Sequence, residues 1–155
     1  MTIRIPQTNI EDSPALKAWV VFSGQADLLW LKLLKPGFRH CYVILNDGNH
    51  WVSVDPLSNY TDVSVHNMPA DFDLPRWMQS RGHTILPAEI LRPEKQAPWM
   101  PFSCVEAVKR ILGIHKHFML TPWNLYRYLQ KQNTKSTFDP KTTIPDFTGE
   151  LAWEV

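Results

Sequence analysis

The stretch from Phe38 to Pro56 constrains this chain more than any other, because two runs rich in β-branched and aromatic residues flank Asp47-Gly48. Asp-Gly between such runs is a strong hairpin signal, since the central residues of a type I′ turn adopt positive φ. A two-residue loop pairs Asn46 with Asn49, Ile44 with Trp51, Tyr42 with Ser53 and His40 with Asp55. Side chains alternate along a strand, so His40, Tyr42 and Ile44 share a face with Trp51, Ser53 and Asp55. The opposite face carries Cys41, Val43, Leu45, Val52 and Val54 and reads as core. Directly opposed residues have Cβ atoms roughly 4.5–5.5 Å apart, which sets an imidazole beside a carboxylate. A four-residue loop keeps the same faces but sets Tyr42 opposite Asp55.

A second local signal supplies a partner for that pair. Ser103 and Glu106 have the spacing of a capping box, and Gly113 stands where a helix over Cys104–Leu112 would end. Cys104, Ala107, Val108 and Ile111 recur at helical spacing and predict the inward face, with Glu106, Lys109 and Arg110 outward. Cys104 then lies in the first turn, where free amides and the helix dipole favour an anion and lower a thiol pKa. A buried cysteine that only fills space is the plain alternative. A thiol nucleophile needs a base, and the base an orienter, and the hairpin offers both. Cys41, mid-strand on the apolar face, is assigned to core packing. Asp55 precedes Pro56 and by itself suits a turn, so Ser53 on the same face is retained as the other orienter.

The rest of the chain surrounds these two pieces. Residues 1–12 are polar and read as an arm, and Ser13-Pro14 suits one helical turn. Ala18–Phe22 reads as a buried strand, and Asp27–Lys35 as a short apolar helix ended by Pro36-Gly37. Thr61–His66 alternates as a third strand, and Arg76–Ser80 suits a turn or two of helix. Thr84–Leu91 is a further strand, which Pro87 assigns to an edge. The proline-rich 92–101 segment predicts a rigid crossing without a domain boundary. Thr121-Pro122 opens a helix over Trp123–Gln132. Residues 133–155 read as an extended tail on which Phe138, Phe147 and Trp153 can dock against the body or a protein partner.

Several function classes are disfavoured. A net charge of +1 with no basic stripe gives no footprint for nucleic acid. No Cys-x-x-Cys or His-Glu-x-x-His spacing occurs, so no metal site is expected, and His50, His66, His83, His115 and His117 are left without a role. No glycine-rich phosphate loop points to a nucleotide, and no cofactor is expected. No apolar run reaches the length of a membrane span, and the N-terminus lacks the apolar core of a signal peptide. The two cysteines are expected to be reduced and the chain intracellular.

With these pieces in place the chain resembles the circularly permuted branch of the NlpC/P60 papain-like superfamily, in which the histidine hairpin precedes the cysteine helix. The resemblance is carried by His40–Gly48, Trp51–Asp55 and Phe102–Val108. It implies an α+β fold, an antiparallel sheet packed against a few helices, forming one domain over residues 1–132 with a tail over 133–155. It also implies a cysteine hydrolase or acyltransferase of thiol-protease type. Its target would be an amide or peptide bond, cell-wall peptide included, with Cys104 as nucleophile, His40 as base and Asp55 or Ser53 as third residue. The family commonly has a small residue two positions after the histidine, where this chain has Tyr42. The alternative expectation is a non-catalytic structural subunit of a larger assembly such as a phage particle. A cytoplasmic or virion-associated location follows from these two readings.

Overall fold

The computed structural model describes residues 16–25, 32–93 and 95–137. Its elements run β1 (Lys17–Ser23), β2 (His40–Asn46), β3 (Trp51–Pro56), β4 (Thr61–His66), α1 (Leu74–Ser80), β5 (Thr84–Ala88), α2 (Cys104–Leu112) and α3 (Pro122–Thr137). The five strands form one sheet in the order β4-β3-β2-β1-β5, with every neighbouring pair antiparallel. The fold is therefore α+β. The N-terminal arm, most of the helix expected over Asp27–Lys35, and the tail beyond Thr137 lie outside the described residues.

Both faces of the sheet are covered over its centre, while toward the β4 edge Val63 and Val65 are exposed. On one, Val20, Phe22, Cys41 and Val43 meet Val105, Val108 and Leu112 of α2 and Leu125 and Leu129 of α3. On the other, Val21, Ile44, Trp51 and Ile85 meet Leu74 and Met78 of α1. This explains the unbroken apolar run of β1: a central strand buried on both faces has no side to leave polar. It also corrects the expectation of a single core face on the hairpin, since Ile44 and Trp51 are buried too. Pro87 sits in β5 at the sheet edge, where a missing N–H costs no ladder bond.

The hairpin register differs from the two-residue Asp47-Gly48 loop. Asn46 pairs with Trp51, Leu45 with Val52, Ile44 with Ser53 and Val43 with Val54. The turn is centred one residue later: Asp47 N–H donates to the His50 carbonyl at 3.3 Å, and Gly48 is at φ +88°. The cause is the Asp47 carboxylate, which accepts from the amides of Asn49 (2.8 Å) and His50 (2.6 Å) and closes the turn through its side chain. The register moves by two residues, an even number, so the faces are kept. His40 is not directly opposite Asp55.

Helix α2 starts and stops where its caps dictate, but its buried side is turned from the expected stripe: of Cys104, Ala107, Val108 and Ile111 only Val108 is buried, and the other three are half-buried. Val105, Val108 and Leu112 are fully buried, and so are Lys109 (1 % exposed) and Glu106 (4 %), both expected outward. The helix contacts more than the sheet. The incoming chain crosses its end, with Leu91 N–H donating to the Leu112 carbonyl at 2.9 Å. Charged side chains on a helix covered on two sides must pair: Lys109 Nζ lies 2.8 Å from Glu106 Oε2, and Arg110 Nε 3.0 Å from Glu106 Oε1. The capping box is accordingly half-formed. Ser103 Oγ accepts from Glu106 N–H at 3.2 Å, while the Glu106 carboxylate is spent on Lys109 and Arg110.

Other bounds shift at element ends. The expected strand Thr84–Leu91 stops at Ala88, and α3 runs through Thr137 rather than ending at Gln132. Residues 133–137 are thus helix, not extended tail. Helix α1 begins earlier than expected because Asp73 caps it, accepting from Arg76 N–H at 3.0 Å ahead of Pro75. No helix among the described residues is long and apolar enough to cross a membrane.

Candidate active site

The site forms where β2 begins and α2 begins. Ser103 is in extended conformation (φ −147°, ψ 168°) and caps the helix, so Cys104 enters the first turn with its amide free of any intrahelical acceptor. Cys104 is half-buried, beside the core cluster that contains Cys41. His40, first residue of β2, pairs with Ser23 of β1, which fixes its backbone.

At this end of the sheet the β2–β3 ladder stops at Val43–Val54. His40 to Tyr42 are paired with β1, while Asp55 and Pro56 are paired with Asp62 and Thr61 of β4. A side-chain bond bridges the opening. His40 Nε2 lies 2.6 Å from Asp55 Oδ1, with both side chains largely covered. That contact occupies Nε2 and leaves Nδ1 as the nitrogen free to face a sulfur. The Cys104 thiol lies close enough to the His40 imidazole for each to shift the other's pKa. Cys104, His40 and Asp55 therefore stand in a chain of contacts: thiol to imidazole to carboxylate.

Ser53, the other expected orienter, is elsewhere. Its Oγ is 3.0 Å from His66 Nε2, across the β3–β4 pair. The ring of Tyr42 stacks near that of His40, with centroids 6.3 Å apart and planes 27° from parallel. The bulky residue thus flanks the imidazole and leaves its contact with Asp55 intact.

The electrostatics favour a charge-separated pair. Burial pushes the His40 imidazole down, but hydrogen bonds to Cys104 and Asp55, together with their negative charge, outweigh it and raise His40 to about 9. Cys104 moves the other way. The Cys41 thiol donates to its sulfur, burial opposes ionisation, and the His40 imidazole and the Cys41 backbone N–H add further stabilisation, bringing Cys104 down to about 5. These opposite shifts favour a thiolate–imidazolium pair at neutral pH.

Cys41 packs in the core as expected, and it has a second role that the sequence reading did not assign. It is fully buried in the core cluster, yet its thiol and its amide both reach the Cys104 sulfur. Burial and the neighbouring thiolate push its own pKa well up, so it stays a neutral donor. The signal was present in the sequence: Cys41 belongs to the hairpin face assigned to core, the face on which the Cys104 helix must pack. His66 as the partner of Ser53 had no comparable signal, because it depends on the final register. No group of three or more His, Cys, Asp or Glu among the described residues is arranged to hold a metal ion.

Fold and site together define an α+β protein with a cysteine–histidine–aspartate constellation at the start of a capped helix. Compared with protein-family models, curated proteins and solved structures, the chain matches none of them.

Proposed function

We propose that this protein is a cysteine-dependent hydrolase or acyltransferase acting on an amide or peptide bond, related to the permuted NlpC/P60 papain-like enzymes. The observation that carries this reading is the contact chain from Cys104 through His40 to Asp55, with His40 Nε2 2.6 Å from the carboxylate. A helix-start thiolate, an imidazolium beside it and a carboxylate that fixes the ring are the three roles that covalent acyl transfer requires.

In the proposed reaction the Cys104 thiolate attacks the carbonyl carbon, and the carbonyl oxygen takes up the negative charge. The free Cys104 amide, at the positive end of α2, is the natural donor to that oxygen. As the tetrahedral adduct collapses, the C–N bond breaks and His40 gives its proton to the departing amine. The neutral imidazole, held by Asp55, then takes a proton from water or an acceptor nucleophile, which attacks the thioester and releases Cys104. Peptides of the bacterial cell wall are within this substrate class.

The test is hydrolysis of a panel of peptides, including cell-wall fragments, by the full chain and by Cys104→Ala and His40→Ala. Turnover abolished by both substitutions, with the fold retained, supports the reading. A wild-type protein inert to the whole panel, with a Cys104 thiol no more reactive than free cysteine, overturns it. One observation favours the second reading, a non-catalytic subunit of a larger assembly such as a phage particle: Trp99, Phe102 and Phe118 stand largely in solvent. Stoichiometric co-purification with a partner that is lost on replacing these three aromatics by serine would favour it.

A further inference from the structure

Acyl transfer needs one thiol, yet the chain's other cysteine lies in the core cluster against which the first packs, near enough to shift its pKa. Cys41 and Cys104 come from elements far apart in the sequence, β2 and α2, and Cys104 packs against the buried cluster that contains Cys41. Their surroundings are unequal. Cys41 is fully buried and locked into the β1–β2 ladder opposite Phe22, whereas Cys104 is half-buried and reaches the surface at the helix start. A small oxidant therefore meets Cys104 first, and the thiol already near the product is Cys41.

We propose that Cys41 is a resolving cysteine, which converts peroxide-oxidised Cys104 into a reversible Cys41–Cys104 disulfide. In the first step the Cys104 thiolate attacks one oxygen of a hydroperoxide. An S–O bond forms, the O–O bond breaks, and the displaced hydroxide or alkoxide takes a proton from the His40 imidazolium. Cys104 is oxidised to the sulfenic acid and the peroxide is reduced. In the second step the Cys41 sulfur attacks the Cys104 sulfur. The S–S bond forms, the S–O bond breaks, and the hydroxide leaves as water with the Cys41 proton. Two thiols have then supplied the two electrons that reduce one peroxide. An S–S bond of about 2.05 Å requires the sulfurs to close on each other. That movement falls to Cys104 in the first helical turn, because Cys41 is held by its strand. The disulfide removes the thiolate, and with it any chemistry at the site, until a dithiol exchanges it open.

A resolving thiol also protects. The sulfenic acid of an exposed cysteine proceeds to sulfinic acid, which dithiols do not reverse, unless a second thiol traps it first. A valine or alanine would fill the Cys41 position without offering that trap.

The inference rests on the two thiols and uses no substrate, so its test is independent of hydrolysis. Reduced full-length protein is treated with a slight excess of hydrogen peroxide and mapped by mass spectrometry without reduction. The expected result is a loss of two hydrogens in the intact mass, a linked Cys41–Cys104 peptide, and disappearance of both free thiols. Dithiothreitol should restore both thiols and the iodoacetamide reactivity of Cys104. In Cys41→Ala the same treatment should give a sulfenic acid trapped by dimedone, then roughly tenfold more irreversible sulfinic acid at Cys104 than in wild type. Should Cys41→Ala not fold, the wild-type map decides alone. Sulfinic acid at Cys104 with Cys41 still a free thiol after denaturation overturns the proposal. So does a Cys104–Cys104 disulfide between two chains, or a Cys104 that peroxide leaves untouched.

Discussion

His40 Nε2 lies 2.6 Å from Asp55 Oδ1 although the β2–β3 register, continued past its last pair, sets Tyr42 and not His40 opposite that carboxylate. The contact is diagonal and spans the place where the ladder between the two strands has ended. An imidazole at such an opening is held by its side-chain bond rather than by packing between paired neighbours. Removing the carboxylate should therefore loosen the ring more than it would within a closed sheet.

Asp55→Asn should lower turnover by roughly 10²–10⁴-fold, because an amide neither fixes the required tautomer nor stabilises the imidazolium. Ser53→Ala should leave turnover within about twofold, since Ser53 bonds His66 and the reacting groups lie elsewhere. Steady-state kinetics on any substrate found for the wild type checks both. Equal losses in the two variants would contradict the assignment of Asp55 as the orienter.

The pH dependence follows from the opposite shifts of the pair. Cys104 is lowered to about 5, so its thiolate is kept at neutral pH and lost as pH falls through that value. His40 is raised to about 9, so its positive charge is present below that value and lost as pH rises through it. The rate of iodoacetamide alkylation at Cys104 should be nearly flat across neutrality and fall on the acid side near pH 5. Turnover should fall again on the alkaline side, where His40 no longer has a proton to give. At pH about 6, His40→Ala should slow alkylation by roughly tenfold or more, as the thiol loses its imidazolium and its pKa climbs. A wild-type profile that rises only above pH 8, as for a free thiol, would refute the ion pair.

What could be read from the sequence was what is decided locally. Ser103 and Gly113 bound α2 because capping and a left-handed terminal residue are properties of a few adjacent groups. The faces of the hairpin were legible for the same reason, being fixed by alternation. The register was not, because Asp47 turns its carboxylate onto two amides, and a side chain competing for the turn is not visible in the Asp-Gly pair. The contact of Cys41 with Cys104 and the burial of Lys109 depend on which elements meet. Periodicity says only that a face is covered, not by how many neighbours. Choosing between Asp55 and Ser53 likewise had to await the partner of each.

Gly113 ends α2 at φ +69°, and a Cβ there would collide with the Leu91 carbonyl oxygen. Two independent penalties thus meet at one residue, the left-handed backbone and a clash with main chain that cannot rotate away. Gly113→Ala should destabilise the fold by about 2–4 kcal/mol, measured by denaturant unfolding. A cost below about 0.5 kcal/mol would mean that the Leu91 strap moves aside freely and does not hold the helix.

Glu106 and Lys109 offer a sharper test of what covers α2, because both charges are nearly dry. Removing one member of a buried pair leaves the other without compensation, at a cost of roughly 3–5 kcal/mol. Lys109→Met should therefore be strongly destabilising by itself, and Glu106→Gln should weaken the fold while freeing Arg110, which is half in solvent. Replacing both charges together by apolar residues of similar volume should recover most of the loss, since it removes the desolvation cost along with the attraction. Glu106 is also two residues from Cys104, on the first turn of the same helix. If the double replacement restores stability, iodoacetamide reactivity at Cys104 should return with it, because the thiolate takes its stabilisation from Cys41 and His40 and not from this pair. Unfolding curves for the single and double variants, read beside the alkylation rate, separate the scaffold of the helix from the chemistry at its start.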